Sequence, residues 1–223
     1  MSSSSVRIRY QTIEFGKMDI HIRSLRDRQE YSDPIGTAFD LGIYSSSWSL
    51  FGVIWASGEL LAHLMSEYEI KGLRILEVGC GIGLASLVLN HRSADITATD
   101  YHPEAETFLM ENAKLNKDES IPFLRANWSE EQDALGKFDL IIGSDLLYEM
   151  GHAKALSNFI NRHANPGCKV ILIDPGRSHH SKFSKRMIEL GYSFSKSSPQ
   201  SVQHLTQPMR HAVNFHILRY TLT

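Results

Sequence analysis

The stretch Arg74-Ile75-Leu76-Glu77-Val78-Gly79-Cys80-Gly81-Ile82-Gly83-Leu84 decides the fold of this chain. A short apolar strand carrying one acid runs into a turn with glycine at every second position. An apolar helix follows at once, Leu84-Ala85-Ser86-Leu87-Val88-Leu89. Glycine has no Cβ, so the backbone can turn sharply there and approach a ligand closely. The helix behind the turn aims its free N–H groups at that ligand. Glu77 stands where the strand ends, within reach of a ligand hydroxyl or amine. Strand, glycine turn and helix together predict a nucleotide-type site at the carboxyl edge of an open α/β sheet.

Two kinds of turn must be separated. The dinucleotide fingerprint places glycines at positions one, three and six. Counted from Gly79, position six is Leu84, so that pattern fails. What fits is acid-x-Gly-x-Gly-x-Gly, with Glu77, Gly79, Gly81 and Gly83. A second strand, Ala94-Asp95-Ile96-Thr97-Ala98-Thr99-Asp100, ends in a carboxylate about 20 residues after the first glycine. In a βαβ unit this sets Asp100 beside a ribose. The alternative for Asp100 is to cap the helix that starts near Pro103. The whole pattern resembles motif I of the class I S-adenosylmethionine-dependent methyltransferases. Their cofactor has no pyrophosphate and carries instead an amino-acid tail, a ribose and a sulfonium. The resemblance implies S-adenosyl-L-methionine as cofactor, held by Glu77, Gly79, Gly81, Gly83 and Asp100.

Working outward, 223 residues suffice for one sizeable core. Hydrophobic residues at 42% and charged residues at 22% describe an ordinary soluble globule. The formal net charge is -2 with no basic run, so no nucleic-acid partner is expected. Cys80 and Cys168 read as reduced core residues, and the 11 histidines are scattered without metal-ligand spacing. The His179-His180 pair reads as a surface pair at a helix start. No signal sequence or membrane-length apolar run occurs, and a cytoplasmic location is expected. The serines after Met1 read as a disordered tip.

Period-two and period-3.6 patterns alternate along the chain. Arg7 to Glu14 and Met18 to Ser24 predict a hairpin through Phe15-Gly16-Lys17, followed by a polar run and a loop region to Ser46. A helix is predicted from Ser57 to Tyr68. The next strands are predicted over Arg74–Val78, Ile96–Thr99, Pro122–Arg125, Phe138–Gly143 and Lys169–Ile173. Helices are predicted over Gly83–His91, Glu104–Leu115 and His152–His163, the last ended by Asn165-Pro166-Gly167. Lys182–Leu190 follows as a helix, then strands Tyr192–Lys196 and Ala212–Leu222. Seven core strands, with helices between the first six and an antiparallel last strand, make a Rossmann-like methyltransferase fold. Residues 1–50 read as a hairpin and loop extension, and 51–223 as the methyltransferase domain, compact as one unit.

The reacting edge is expected at the ends of the first and fourth core strands. The fourth ends Gly143-Ser144-Asp145-Leu146-Leu147-Tyr148. Asp145-x-x-Tyr148 resembles the acid-x-x-Tyr signature of the seven-β-strand protein methyltransferases called methyltransferase family 16. Phe51-Gly52-Val53-Ile54-Trp55 resembles that family's upstream tryptophan segment. Asn127-Trp128 resembles its acid-Trp pair after the third strand, with asparagine where aspartate is usual. Asn127 can still accept the adenine amine through its carbonyl oxygen. Asp174-Pro175-Gly176-Arg177 is similar to a segment of the electron-transfer-flavoprotein β-subunit lysine methyltransferases. The resemblance implies Asp145 and Tyr148 at the acceptor, and Trp55, Asn127, Trp128 and Ser144 at the cofactor. Trp55 and Trp128 can equally be core aromatics, and Asp145 a helix cap. The implied activity is N-methylation of a protein lysine. The alternatives are a small amine or heteroaromatic nitrogen as acceptor, or a non-catalytic module that binds S-adenosylmethionine. Asp145 then holds the acceptor rather than acting as a strong base, because a carboxylate raises the pKa of a neighbouring ammonium.

Overall fold

The computed structural model describes residues 6–27, 31–33, 35–130, 133–148, 151–176, 179–201, 205–206 and 214–223. Arg177, the first residues of the last predicted strand, part of the polar run after the hairpin and the serines after Met1 lie outside them. Strands β1 (Ile8–Phe15) and β2 (Met18–Leu25) form the antiparallel hairpin, with Phe15 opposite Met18 across a two-residue turn. Gly16 supplies the positive φ of +67° that so tight a turn demands. The predicted loop region holds a four-residue helix α1 (Thr37–Asp40) and two 3-10 turns, Ser45–Ser47 and Leu50–Gly52. Its anchor is Asp33, whose carboxylate accepts from the backbone N–H of Ala38 (3.1 Å) and Phe39 (2.8 Å).

Helix α2 (Ala56–Glu67) leads to β3 (Arg74–Val78), α3 (Leu84–His91), β4 (Asp95–Asp100), α4 (Ala105–Leu115) and β5 (Phe123–Arg125). The chain continues through β6 (Phe138–Ser144), α5 (His152–His163), β7 (Ala164–Asp174), α6 (His180–Glu189), β8 (Tyr192–Ser197) and β9 (His216–Leu222). The seven strands lie in the order β5-β4-β3-β6-β7-β9-β8, and β9 alone runs against the others. Leu140, Ile141 and Ile142 of β6 are all fully buried, as expected for a strand covered on both faces. One core layer joins Ile75, Leu140 and Ile142 to α2, α3, α4 and the hairpin. The opposite layer joins Leu76, Val78 and Ile141 to α5 and α6. The architecture is the expected α/β sandwich with a hairpin extension. Among the described residues, no helix is long and apolar enough to cross a membrane.

Two expectations are corrected. Between the third and fourth core strands, β5 and β6, the described residues hold one 3-10 turn, Asp133–Leu135, rather than a helix. Residues 126–137 contain no apolar stripe at helical spacing that a helix would bury there. α5 ends at His163 as expected, but the next strand starts at Ala164 rather than Lys169, so Asn165-Pro166-Gly167 does not stand between them. It is extra chain inside β7, with Phe138 opposite Ala164 while Leu140 lies opposite Lys169. Asn165 Nδ2 donates to Asp139 Oδ1 at 2.8 Å and holds this irregularity against β6.

The hairpin is fastened by two asparagines one turn apart, Asn112 on α4 and Asn116 at its C-cap. Asn112 Oδ1 accepts from Arg23 N (2.7 Å) and its Nδ2 donates to Arg23 O (3.1 Å). Asn116 does the same for His21, at 2.7 Å in both directions. The two amides stand in for a neighbouring strand along the edge of β2 and satisfy its outward backbone groups.

Candidate active site

The chain leaves β3 toward β5 and returns to β6 on the other side of β3. This reversal opens a crevice beyond the carboxyl ends of β3 and β6. A cavity of about 630 Å³ occupies it. Trp55, Glu77, Gly79, Gly81, Asp100, Asn127, Trp128, Ser144, Asp145 and Tyr148 all line the cavity, so the fold assembles these sequence-predicted residues in one place. Gly83 does not line it. That glycine caps α3 at φ +74°, and a Cβ there would lie 2.3 Å from Leu109 Cδ1, so its place is in helix packing.

The glycine turn forms the cavity's inner wall. Gly81 has φ +57°, and a Cβ on it would sit 2.9 Å from the backbone oxygen of Phe51. Its N–H donates to Asp100 Oδ2 at 2.8 Å, and the other oxygen of Asp100 accepts from His102 N at 2.8 Å. Asp100 lines the cavity and closes the short turn through His102, whereas the N-cap of α4 is Glu104, so Asp100 does not cap that helix. Burial raises the Asp100 pKa, and the backbone N–H groups oppose that rise.

Glu77 is 4% exposed. One of its oxygens accepts from Ser86 N at 2.9 Å and from Ser86 Oγ, tying the end of β3 to the first turn of α3. Burial pushes its pKa up to about 7, the serine bonds pull it down, and the charge of Asp100 adds a smaller upward push. Glu77 is therefore both a strut and a carboxylate on the cavity wall.

His102, buried at 5% exposure, lies flat on Phe51 with centroids 3.9 Å apart and 15° between planes. Glu104 N donates to its Nδ1, so that nitrogen carries a lone pair. Burial lowers the His102 pKa to about 4. The pair makes a neutral aromatic shelf at one end of the cavity. At the other end Asn127 is turned into its own loop. Its Oδ1 accepts from Ser129 N (3.0 Å) and its Nδ2 donates to Glu130 Oε1 (2.9 Å). Arg162 on α5 clamps the same loop by donating to the backbone oxygens of Trp128 (3.1 Å) and Glu130 (2.8 Å).

The mouth is built by β6, by the start of α5 and by the strap of residues 31–52. Asp145 has φ +54° in the left-handed region, and its N–H donates to Ile173 O at 2.9 Å. A non-glycine residue at such an angle is strained by about 1–3 kcal/mol, and aspartate tolerates it better than most. Tyr148 (41% exposed) and Tyr44 (75% exposed) flank the opening. Tyr101 OH donates to Leu41 O at 2.8 Å and ties the strap down. Residues missed from sequence are His102, Arg162 and His152, all brought in by folding. His152 stands four residues beyond Tyr148, a spacing that puts it at the same strand end.

The family described as lysine methyltransferase, methyltransferase family 16, matches residues 43–189. The chain belongs to this family. It is a methyltransferase whose cofactor is S-adenosyl-L-methionine. The protein N-lysine methyltransferase METTL21A of Danio rerio is 28% identical over 161 residues, which cover 68% of this chain and 73% of that protein. The electron transfer flavoprotein beta subunit lysine methyltransferase of Mus musculus is 30% identical over 151 residues, 66% of this chain. That alignment spans 58% of the mouse protein, little more than half its length. Among solved structures, a methyltransferase from Pyrococcus furiosus superposes with a TM-score of 0.57 at 20% identity, over 73% of this chain and 81% of that one. At that identity the likeness is one of fold.

Proposed function

We propose that the chain methylates a lysine side chain of a protein, with Glu77, Gly79, Gly81 and Asp100 holding the methyl donor and Asp145 and Tyr148 receiving the acceptor. The observation that carries this reading is the convergence of an acid, a glycine cradle and a second acid on one wall, with Asp145 at the mouth of the same cavity. The cradle around Gly81 has no room for a side chain, and a cavity of about 630 Å³ is of cofactor size. Two carboxylates and an aromatic shelf suit a ligand with hydroxyls, an ammonium and an adenine ring. Once bound, the cofactor supplies a methyl group on a positively charged sulfur.

The chain's own residues do the rest by positioning. Tyr148 brings an aromatic face to the opening, which suits a cationic acceptor, while the Trp128 ring lies beside Gly79 on the cofactor side. Asp145 attracts the ammonium and fixes its approach. Exclusion of water and alignment of nitrogen with methyl then supply most of the acceleration. The exposed Tyr44 and Tyr148 leave the mouth open, which favours a side chain projecting from a protein over a small molecule enclosed beneath a lid. The names of the relatives above support lysine as the residue type. Incubating cell lysate with radiolabelled S-adenosylmethionine, with and without the protein, tests the reading. A labelled protein band is expected, and label confined to small molecules would overturn it in favour of a small amine acceptor.

A further inference from the structure

We propose that the outer face of the strap, carried by Ile35, Phe39 and Tyr44 with Asp40 among them, is the surface on which the protein substrate docks; this rests on the lysine reading above. Its occupant is a segment that presents the target lysine beside a large apolar side chain. The strap is fastened along its length. Asp33 holds the start of α1, Gly42 N donates to Phe39 O at 2.9 Å and Ile43 N to Ala38 O at 3.0 Å. Trp48 Nε1 donates to Ile43 O at 3.0 Å. Ala38 is fully buried on the inner side, yet Ile35, Phe39 and Tyr44 are 83%, 71% and 75% exposed. A strap held this way keeps three large apolar side chains in water within ten residues until a partner covers them.

Position and charge name the partner. Gly42, Ile43 and Tyr44 line the cavity, and Phe39 O is bonded to Gly42, so the face runs directly into the mouth where Asp145 and Tyr148 stand. No lysine or arginine occurs from Tyr31 to Ile70, whereas Asp40 lies exposed beside Phe39. Among the described residues, the cavity lining holds three carboxylates, Glu77, Asp100 and Asp145, and no lysine or arginine. An apolar face edged with acid and lacking cations complements a cationic side chain flanked by an apolar one. A second copy of this chain meeting the face through the same strap would bring the same acid and no base to pair with it.

Methyl transfer from radiolabelled S-adenosylmethionine into whole-lysate protein tests the surface, with the lysate kept dilute so that the rate reads acceptor binding. Phe39→Ser is expected to slow transfer about 10-fold, as truncation of an aromatic anchor does. Asp40→Lys should slow it at low salt, and less as salt rises, because an exposed charge steers encounter. Cofactor affinity by calorimetry and the melting temperature should match wild type in both variants, since neither side chain is buried or lines the cavity. Tyr10→Ser removes an aromatic that is 66% exposed on β1, outside the cavity lining, and should leave transfer unchanged. A wild-type rate in either strap variant, cofactor affinity falling in step with transfer, or an equal loss in Tyr10→Ser would overturn the proposal. So would a dimer in sedimentation that Phe39→Ser dissolves, which would give the face to a second copy. If the wild type labels no lysine at all, the lysine reading itself falls, an outcome distinct from these.

Discussion

Glu77 gives the sharpest quantitative prediction, because burial and chemistry pull it in opposite directions. Its carboxyl titrates near 7 in the fold against 4.5 as the ordinary value. A buried acid with a raised pKa holds its proton longer folded than unfolded, so the fold loses stability as pH rises from about 4.5 to about 7. Each pH unit in that window is worth about 1.4 kcal/mol, which makes the ionised carboxylate a burden of about 3 kcal/mol above pH 7. Glu77→Gln keeps the shape and can still accept from Ser86 N, yet carries no charge. Thermal unfolding of the cofactor-free protein should therefore show the variant matching wild type at pH 4 and melting higher at pH 8. For a domain of this size about 3 kcal/mol corresponds to roughly 6–12 °C. The difference should open between pH 4.5 and 7 and stay flat above. Calorimetry with S-adenosylmethionine should meanwhile show about 10- to 100-fold weaker binding, the worth of a bond to a charged group. A variant less stable than wild type at pH 8, or a difference independent of pH, would refute the reasoning.

Other positions make separate tests. Gly81→Ala places a side chain at φ +57° and 2.9 Å from Phe51 O, so a loss of about 1–3 kcal/mol in denaturant unfolding and a collapse of cofactor affinity are expected. Asn112→Ala leaves both Arg23 backbone groups without their partner. The cost should be about 1–3 kcal/mol, and faster amide exchange should appear at Arg23 while β6 is unaffected. Asp145→Asn tolerates φ +54° and removes only the charge. Cofactor binding by calorimetry should stay within a few-fold of wild type while methyl transfer drops about 10²-fold or more. Parallel loss of both would assign Asp145 to the cofactor instead.

The β3–turn–α3 unit was legible because its signals are local and agree with one another. Apolar strand, alternating glycines and apolar helix follow one another directly from Arg74 to Leu89, and Asp100 repeats the strand-end acid one unit later. The β6 end was legible for the same reason, an unbroken apolar run followed by Asp145 and Tyr148. What escaped depends on partners distant in sequence. Asn112 and Asn116 look like ordinary helix residues until the hairpin strand, about 90 residues earlier, lies against them. The strap of residues 31–52 is apolar in composition but weakly periodic, and its short helix exists because Asp33 supplies the acceptor its first turn needs. Gly83 shows the converse. Its place in the glycine pattern suggested a ligand, but the space its missing side chain leaves is filled by Leu109. Asn127 fits the family pattern by position, while its amide is engaged by Ser129 and Glu130 in the loop it opens.

The central claim is that this cavity delivers a methyl group to a lysine of a protein. The direct measurement uses S-adenosylmethionine carrying a deuterated methyl, lysate protein as acceptor, and tandem mass spectrometry of the digested labelled band. The account predicts the heavy methyl on a lysine Nζ, reduced about 10²-fold or more when Asp145→Asn replaces the wild type. Heavy methyl on another residue type, or equal labelling by the variant, would contradict it.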